Sequence, residues 1–242
     1  MATMFKNNPK KYFARLHADL HSHLLPGLDD GVNTVEESIQ VIKKLVTLGY
    51  KKIITSPHYR SDMFPNTREG ILQKYALIKD KIASEGIEVT FETAAEYFID
   101  DHFEELIKHP EQLLTFGDNF VLIEASFINE PVQLKEVIFY LNAQGLKPIL
   151  VHPERYQFFA MDKDRLHEIN RMDVLWQINL MSITGYYGKP VQKMAEWMIE
   201  QKMVHFLGSD CHHIKHADEL ETLPQYNAFK KALKLNLLNN TL

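Results

Sequence analysis

Two histidines two positions apart, His21 and His23, are the first residues of this chain that could bind a metal ion. On a strand, both imidazoles would point to the same side and could reach one cation. Pairs of this kind also arise by chance as surface or hydrogen-bonded residues, so the pair alone is a weak signal. Its meaning depends on whether further ligands share its place in the fold.

Ligand-type side chains recur at the ends of predicted strands along the chain. After the first strand they are His58, Glu96, Glu124, His152, Asp210 and His212. Most have an ordinary alternative role, such as a helix cap or a loop histidine. Glu124 is harder to explain so, because it ends the apolar run Phe-Val-Leu-Ile, where an unpaired buried carboxylate would cost several kcal/mol. A cation would remove that cost, and so would a buried Arg or Lys.

Short apolar runs alternate with stretches of helical periodicity, which predicts a parallel sheet with crossover helices. The predicted strands are 16–20, 52–55, 88–93, 120–124, 148–151, 174–179 and 204–207. A capping box over 34–37 begins one helix, and Gly49 ends it. Further helices are predicted near 68–84, 132–144, 164–171, 191–201 and 225–236.

This alternation indicates an α/β fold, either a closed or nearly closed barrel or an open doubly wound sheet. None of the strand-to-helix turns contains the G-x-G-x-x-G fingerprint, which weakens the open-sheet alternative. A parallel barrel gathers the carboxyl ends of its strands on one face. The ligand-type residues would then converge on one pocket.

Composition limits the class of protein. The 242 residues suffice for one large domain, expected over 17–242 after an N-terminal arm over 1–16. A single cysteine excludes a disulfide framework within the chain, and no apolar run is long enough to span a membrane. A cytoplasmic protein without membrane insertion is therefore expected. The net charge of -5 does not favour nucleic acid as a partner. The oligomeric state stays open.

Seven motifs together resemble the polymerase and histidinol phosphatase (PHP) superfamily, and more closely its bacterial protein-tyrosine phosphatases of capsule and exopolysaccharide loci. The motifs run in order from about residue 17 to 213. They are His21-Ser-His23, Asp29-Asp30-Gly31, Ser56-Pro-His58, Ala95-Glu96, Leu122-Ile-Glu124, His152-Pro-Glu-Arg155-Tyr and Ser209-Asp210-Cys-His212.

The resemblance implies a distorted seven-stranded TIM-like α/β barrel that holds three divalent metal ions. Manganese is the expected metal, with iron, zinc and magnesium as alternatives. Carried over by motif, the ligands fall into three sets: His21, His23 and Asp210; Glu96, Glu124 and His152; and Asp30, His58 and His212. Glu96 would bridge the first two metals. Asp29 could take the place of Asp30.

The same resemblance implies hydrolysis of phosphotyrosine, with the tail of an autophosphorylating bacterial tyrosine kinase as the substrate. Three divalent ions would carry more charge than the four carboxylates offset, so the site would attract a phosphate dianion. The hypothesis is in-line attack on phosphorus by a hydroxide that the metals supply. His58, Arg155 and Asp210 are the residues expected to take part in catalysis.

Arg155 is the expected phosphate clamp, because its planar fork matches phosphate oxygens and it lies three residues after His152. A salt bridge, for instance to Glu154, is the alternative. Arg60 is a second candidate for substrate binding. Relatives usually carry an arginine after the last Asp-x-His motif, and here Lys215 is expected to substitute. The loop 59–64 and the pair at 186–187 could line the entrance, or simply pack.

Other functions remain open at this point. The same metal site could act on histidinol phosphate, another small phosphomonoester or a nucleic-acid phosphodiester. The chain could also be a noncatalytic metal-binding scaffold. A cysteine-dependent phosphatase needs an arginine six positions after its thiolate, and Cys211 has Ala217 there. We therefore expect Cys211 to be a filler between two ligands.

Overall fold

The computed structural model describes residues 8–242, which form an α/β fold with parallel strands. The strands are β1 (Ala18–Asp19), β2 (Lys52–Thr55), β3 (His58–Tyr59), β4 (Thr90–Thr93), β5 (Glu96–Phe98), β6 (Phe120–Glu124), β7 (Lys147–Val151), β8 (Leu175–Asn179) and β9 (Phe206–Gly208). Each of the seven predicted strands is therefore present: 52–55 and 120–124 have the predicted ends, the other five have shifted ends, and β3 and β5 are additional.

Eleven α-helices lie among the described residues. They are α1 (Pro9–Leu16), α2 (Val35–Leu48), α3 (Arg68–Ser84), α4 (Asp101–Leu106), α5 (Leu134–Ala143), α6 (Gln157–Met161), α7 (Lys163–Ile169), α8 (Leu180–Thr184), α9 (Lys189–Glu200), α10 (Ile214–Glu219) and α11 (Asn227–Ala232). Four short 3-10 helices lie at Pro110–Gln112, Pro153–Arg155, Leu220–Gln225 and Leu238–Thr241. No helix in residues 8–242 combines the length and the apolar character that a bilayer crossing requires.

The hydrogen-bonded ladders form two sheets, with strand orders β1-β2-β4 and β3-β5-β6-β7-β8-β9. All the strand pairs are parallel. The chain leaves the first sheet after Thr55 and enters the second at His58, and it does so again between Thr93 and Glu96. Pro57 lies at the first break. It has no backbone N–H to donate to a ladder, but its carbonyl accepts from the Glu96 amide at 3.0 Å.

The barrel prediction is thus met only at the level of a parallel α/β fold. Within residues 8–242 the strands do not form one closed seven-stranded ladder. The outer edges of the two sheets do meet through an isolated parallel bridge between Ser22 and Cys211. There the His23 amide donates to the Cys211 carbonyl at 2.9 Å, and the Asp210 amide donates to the His21 carbonyl at 2.8 Å.

Part of the expected N-terminal arm is helical. Residues 1–7 lie outside the described part, but from Pro9 the chain is helical, and Phe13 and Leu16 of α1 are fully buried. Phe13 packs against the rings of Tyr50 and Phe229. Leu16 is therefore the end of a helix rather than the start of the first strand, and the chain turns into β1 at His17, whose φ is 66°.

Alternation along the strands separates two apolar clusters. On β6, Val121 and Ile123 belong to the large cluster that packs with the helices, whereas Phe120 and Leu122 belong to a smaller cluster between the strands. Since side chains two positions apart share a face, Glu124 lies on the same face as Leu122. The smaller core thus ends in a carboxylate at the carboxyl end of the strand.

Candidate metal centre

The first group of ligand-type atoms converges where β1 ends. The Nε2 atoms of His21 and His23 lie 3.3 Å apart. They lie 3.2 and 3.4 Å from Glu96 Oε2, and 3.6 and 3.4 Å from Asp210 Oδ1. All four side chains are buried. His21, His23 and Glu96 have the mutual spacing of a group able to hold a metal ion, and Asp210 lies at its edge.

Glu96 also faces a second group of ligand-type atoms, through both of its oxygens. His152 Nε2 lies 3.0 Å from Glu96 Oε1 and 3.8 Å from Glu124 Oε1. His58 Nδ1 lies 3.1 Å from Glu96 Oε2 and 3.5 Å from Glu124 Oε2. His58, Glu96 and Glu124 therefore form another group with the spacing of metal ligands. A carboxylate between two such groups has the geometry of a bridge.

The third group is more exposed and contains Asp30 rather than Asp29. Asp30 Oδ1 lies 3.6 Å from His58 Nε2 and 3.4 Å from His212 Nε2, and these residues with His23 complete the group. Asp29 is instead buried behind His23, where its Oδ2 lies 2.7 Å from His23 Nδ1 and accepts from the His58 amide at 2.9 Å. Burial opposes ionisation of Asp29, but the His23 charge and these hydrogen bonds lower its pKa to about 2.

Polar atoms without hydrogen-bond partners test whether this donor set fits cations. His58 Nδ1, His152 Nδ1 and Glu124 Oε2 are buried and make no hydrogen bond within the described structure. Burial, together with the neighbouring Glu96 charge, raises the pKa of Glu124 well above its usual range. Burial lowers the pKa of His152 to about 4, so its ring is neutral near pH 7. Neutral imidazoles and crowded carboxylates are the donors that divalent transition metals accept.

Two side chains of the cluster leave the backbone at strained positions. His152 follows β7 with φ 34°, and Asp210 follows β9 with φ 51°. Non-glycine residues rarely adopt this left-handed region, and those that do concentrate at functional sites. The sharp turns bring both side chains back over the ends of their strands, beside Glu96 and His21.

A cavity of about 410 Å³ opens onto the cluster. Arg155 lies in its wall with its guanidinium 4.4 Å from the ring centres of both Phe127 and Tyr187. Its Nη1 donates to Asp210 Oδ2 at 3.2 Å, so its ion pair is with Asp210 and not with Glu154. Glu154 accepts instead from the Asn179 amide and the Ser182 hydroxyl.

The other substrate-binding predictions fare differently. Arg60 lines the cavity, but both ends of its guanidinium are held by Asp62, and it stacks 4.0 Å over Phe98. Lys215 is exposed on α10 and is not among the residues that line this cavity, so its role in substrate binding stays a prediction. One helical turn presents only one face to the site, and that face carries the buried His216.

Aromatic and sulfur side chains form the rim. Met63, Phe64, Tyr186 and Tyr187 line the cavity, which is one of the two alternatives that the sequence left open, whereas Tyr59 packs on Tyr97 and His102. Cys211 is fully buried, and burial raises the pKa of its thiol well above the usual range. A thiol of this kind is a poor nucleophile.

Sequence reasoning missed several polar partners of the cluster. Gln177 Oε1 lies 2.8 Å from His21 Nδ1, and Asn179 Nδ2 donates to Asp210 Oδ2 at 2.6 Å. The Tyr187 hydroxyl also reaches Asp210 Oδ2, at 3.4 Å. A signal was available, because two polar residues alternate with apolar ones in the Trp-Gln-Ile-Asn segment of a buried strand.

Comparison with known proteins gives a consistent assignment. The chain is 26% identical over 198 residues to the tyrosine-protein phosphatase YwqE of Bacillus subtilis, covering 81% of this chain and 78% of that protein. It is 28% identical over 204 residues to the tyrosine-protein phosphatase CpsB of Streptococcus agalactiae, covering 81% and 83%.

The fold has solved relatives as well. A crystal structure described as YwqE from Bacillus subtilis and CpsB from Streptococcus pneumoniae, metal-dependent tyrosine phosphatases, superposes with a TM-score of 0.78 at 24% identity, over 88% of this chain and 90% of that one. A family described as "Capsular polysaccharide synthesis, CpsB/CapC" matches residues 17–227. The chain therefore belongs to the CpsB/CapC family.

Proposed function

We propose that this protein is a metal-dependent protein-tyrosine phosphatase, a phosphoric monoester hydrolase that acts on phosphotyrosine in a protein substrate. The observation that carries the proposal is the convergence of three ligand groups, which overlap through His23, His58 and Glu96, at the base of a cavity with an aromatic rim. The names of the curated relatives support the same activity. The two sheets would act together as one distorted seven-stranded barrel whose strand ends carry the site.

Three divalent ions, with manganese as the expected metal, would be held by this chain's nine predicted ligands. They are His21, His23, Asp30, His58, Glu96, Glu124, His152, Asp210 and His212. When bound, such ions act as Lewis acids toward phosphoryl oxygens and lower the pKa of water. They would also relieve the unfavourable proximity of the Glu96 and Glu124 carboxylates, which raises the pKa of Glu124.

The chain's own residues would orient the substrate. Arg155 is fixed by Asp210 and by the two rings that sandwich it, so its remaining N–H donors can meet a phosphoryl group without first losing much side-chain entropy. His58 and Asp210 would contribute by holding the cluster in place at the cavity floor. No covalent intermediate on the protein is needed, in agreement with the buried thiol of Cys211.

The rim suits an aryl phosphate on a flexible chain. Met63 and Tyr186 are 57% and 51% exposed, and Phe127 is 37% exposed, which leaves apolar surface for a phenyl ring beside the polar floor. We therefore place the substrate in a tyrosine-containing segment of a partner protein. The family's link to capsular polysaccharide synthesis favours a bacterial tyrosine kinase that controls polysaccharide export, acting with this protein in the cytoplasm.

One purified, Mn²⁺-loaded sample tests the proposal. We expect turnover of a phosphotyrosine peptide to exceed turnover of histidinol phosphate and of a dinucleotide, and a chelator to abolish it. His23→Ala should abolish it too, whereas His109→Ala, which changes an exposed histidine outside the cluster, should not. Preference for histidinol phosphate would assign a small-molecule phosphatase, and metal binding without turnover of any substrate would assign a scaffold.

A further inference from the structure

Two buried amide side chains link opposite sides of the first ligand group. The imidazole of His21 meets Gln177 Oε1 through its Nδ1 at 2.8 Å. Gln177 Nε2 donates to Asn179 Oδ1 at 2.8 Å, and Asn179 Nδ2 donates to Asp210 Oδ2 at 2.6 Å. His21, Gln177 and Asn179 are fully buried, and Asp210 is 3% exposed. An unbroken chain of hydrogen bonds therefore runs from one predicted metal ligand to another.

The direction of every bond in this chain is fixed at the Asp210 end. Asp210 Oδ2 also lies 3.2 Å from Arg155 Nη1, and an arginine can only donate. An ionised carboxylate can only accept, so Asn179 must turn its NH₂ group toward Asp210. Its oxygen then faces Gln177, which must in turn present its own NH₂ group.

These bond directions also determine which nitrogen of His21 carries a proton. With its amide nitrogen committed to Asn179, Gln177 offers only its oxygen to His21, so His21 Nδ1 must carry a proton. A neutral ring protonated at Nδ1 has its lone pair on Nε2. That is the nitrogen that faces Glu96 at 3.2 Å and His23 Nε2 at 3.3 Å.

The same arrangement divides the two oxygens of Asp210. Oδ2 is occupied by donors from Asn179, Arg155 and Tyr187. Oδ1 stays directed at the imidazoles of His21 and His23. One carboxylate oxygen thus anchors the side chain, and the other remains available at the ligand group.

The strand geometry is built around the two amides. Gln177 and Asn179 are two positions apart on β8 and so share a face. Across from them, a Cβ at Gly208 would lie 2.7 Å from Gln177 Nε2 and 2.9 Å from His21 Cβ. Only glycine leaves room there for the Gln177 amide, and φ at this position imposes no such requirement.

We propose that Gln177 and Asn179 are positioning residues that hold His21 as the Nδ1-protonated tautomer and hold Asp210 with Oδ1 free, so that both are ready to bind a cation. The proposal rests on the metal centre of the proposed function, but it concerns metal affinity and not the substrate. Removing partners that orient ligands from behind typically weakens metal binding by about 10- to 100-fold.

Metal affinity of folded variants tests this inference. Gln177→Met and Asn179→Leu keep approximate side-chain size and remove the hydrogen bonds. The matched control is Gln192→Met, since Gln192 is also buried but donates to the Ile183 carbonyl, outside the chain of amides. Zn²⁺ and Mn²⁺ affinities are measured by competition with a chelator, and circular dichroism checks the fold.

We expect Gln177→Met and Asn179→Leu each to lose about 10- to 100-fold in metal affinity, and the control to stay within threefold of the unmodified protein. Because the two amides act in series, the double variant should lose little more than either single one. In the zinc-loaded, ¹⁵N-labelled protein, His21 should carry its proton on Nδ1. A proton on His21 Nε2, or equal affinities for Gln177→Met and Gln192→Met, would overturn the inference. Metal binding without phosphotyrosine turnover would overturn the proposed function alone.

Discussion

Replacing Arg155 should reduce phosphatase activity far more than replacing the other cavity arginine. Within the described structure its guanidinium makes one hydrogen bond, to Asp210, and is stacked between two rings, so further donors remain for a phosphoryl group. Two charge-assisted hydrogen bonds at about 1.5 to 3 kcal/mol each correspond to a loss of roughly 10²- to 10⁴-fold in kcat/KM. Because the side chain is 23% exposed, solvent screening favours the lower half of that range.

The assay is kcat/KM on a phosphotyrosine peptide with Mn²⁺-loaded Arg155→Ala, with metal content measured in the same sample. Arg155→Lys keeps the charge but not the fork, so we expect it to recover only about tenfold. Arg60→Ala is the matched control: its guanidinium is held at both ends by Asp62, and it should lose less than tenfold. Full metal content with activity within threefold of the unmodified protein would refute the role of Arg155.

Three further predictions follow from the geometry. His23→Ala should lose both bound metal and phosphatase activity, and survival of both would contradict the cluster. Cys211→Ser should keep most activity while a chelator removes it and Mn²⁺ restores it, because burial raises the pKa of the thiol; full turnover by the metal-free protein would contradict this. Burial also raises the pKa of the Asp19 carboxyl from 3.8 to about 6, so its ionisation favours the unfolded state. The contribution of the protonated carboxyl to the unfolding free energy is fully present below pH 3.8 and is lost as the pH rises through 6. Between pH 4 and 7 the unfolding free energy of the metal-free protein should therefore fall by about 2 kcal/mol relative to Asp19→Asn. The same pH dependence for both proteins in urea denaturation would count against it.

The long, regular elements were the ones that sequence patterns predicted well. Helix α2 begins after the capping box at Thr34 and ends before Gly49, whose φ is 125°, as expected. Both signals act locally. Helix α9 begins two residues earlier than predicted, with Pro190 in its first turn, a position that tolerates proline. Helices such as α4, α6 and α8 have only five or six residues and carry too little periodicity to be recognised.

The division of the strands into two sheets could not be read from local patterns. The break falls within Ile54-Thr-Ser-Pro57, and although Pro57 cannot donate to a ladder, the sequence does not show which strands pair on either side of it. That outcome depends on which neighbour each strand finds. The helix at Pro9–Leu16 was missed for a similar reason, since its two buried residues acquire their role only by packing against Tyr50 and Phe229.

At the site, sequence reasoning brought together residues that bear charge or a lone pair, and it overlooked those that orient them. Histidines and carboxylates stand out at strand ends, whereas Gln177 and Asn179 resemble ordinary polar residues until the partner of each amide is known. Asp29 and Asp30 show the same limit. Both are acidic neighbours in one motif, yet one supports His23 from behind and the other faces the cavity with His58 and His212.

Several features of the ligand cluster reduce the stability of the folded protein. His152 and Asp210 occupy left-handed backbone positions, each of which costs about 1 to 2 kcal/mol, and Glu124 Oε2 is buried without a hydrogen-bond partner among the described residues. Apolar residues at these strand ends would avoid all of these costs. Their concentration around Glu96, with two amides and an arginine supporting the ligands from behind, is what a binding site for divalent cations requires and a purely structural core does not.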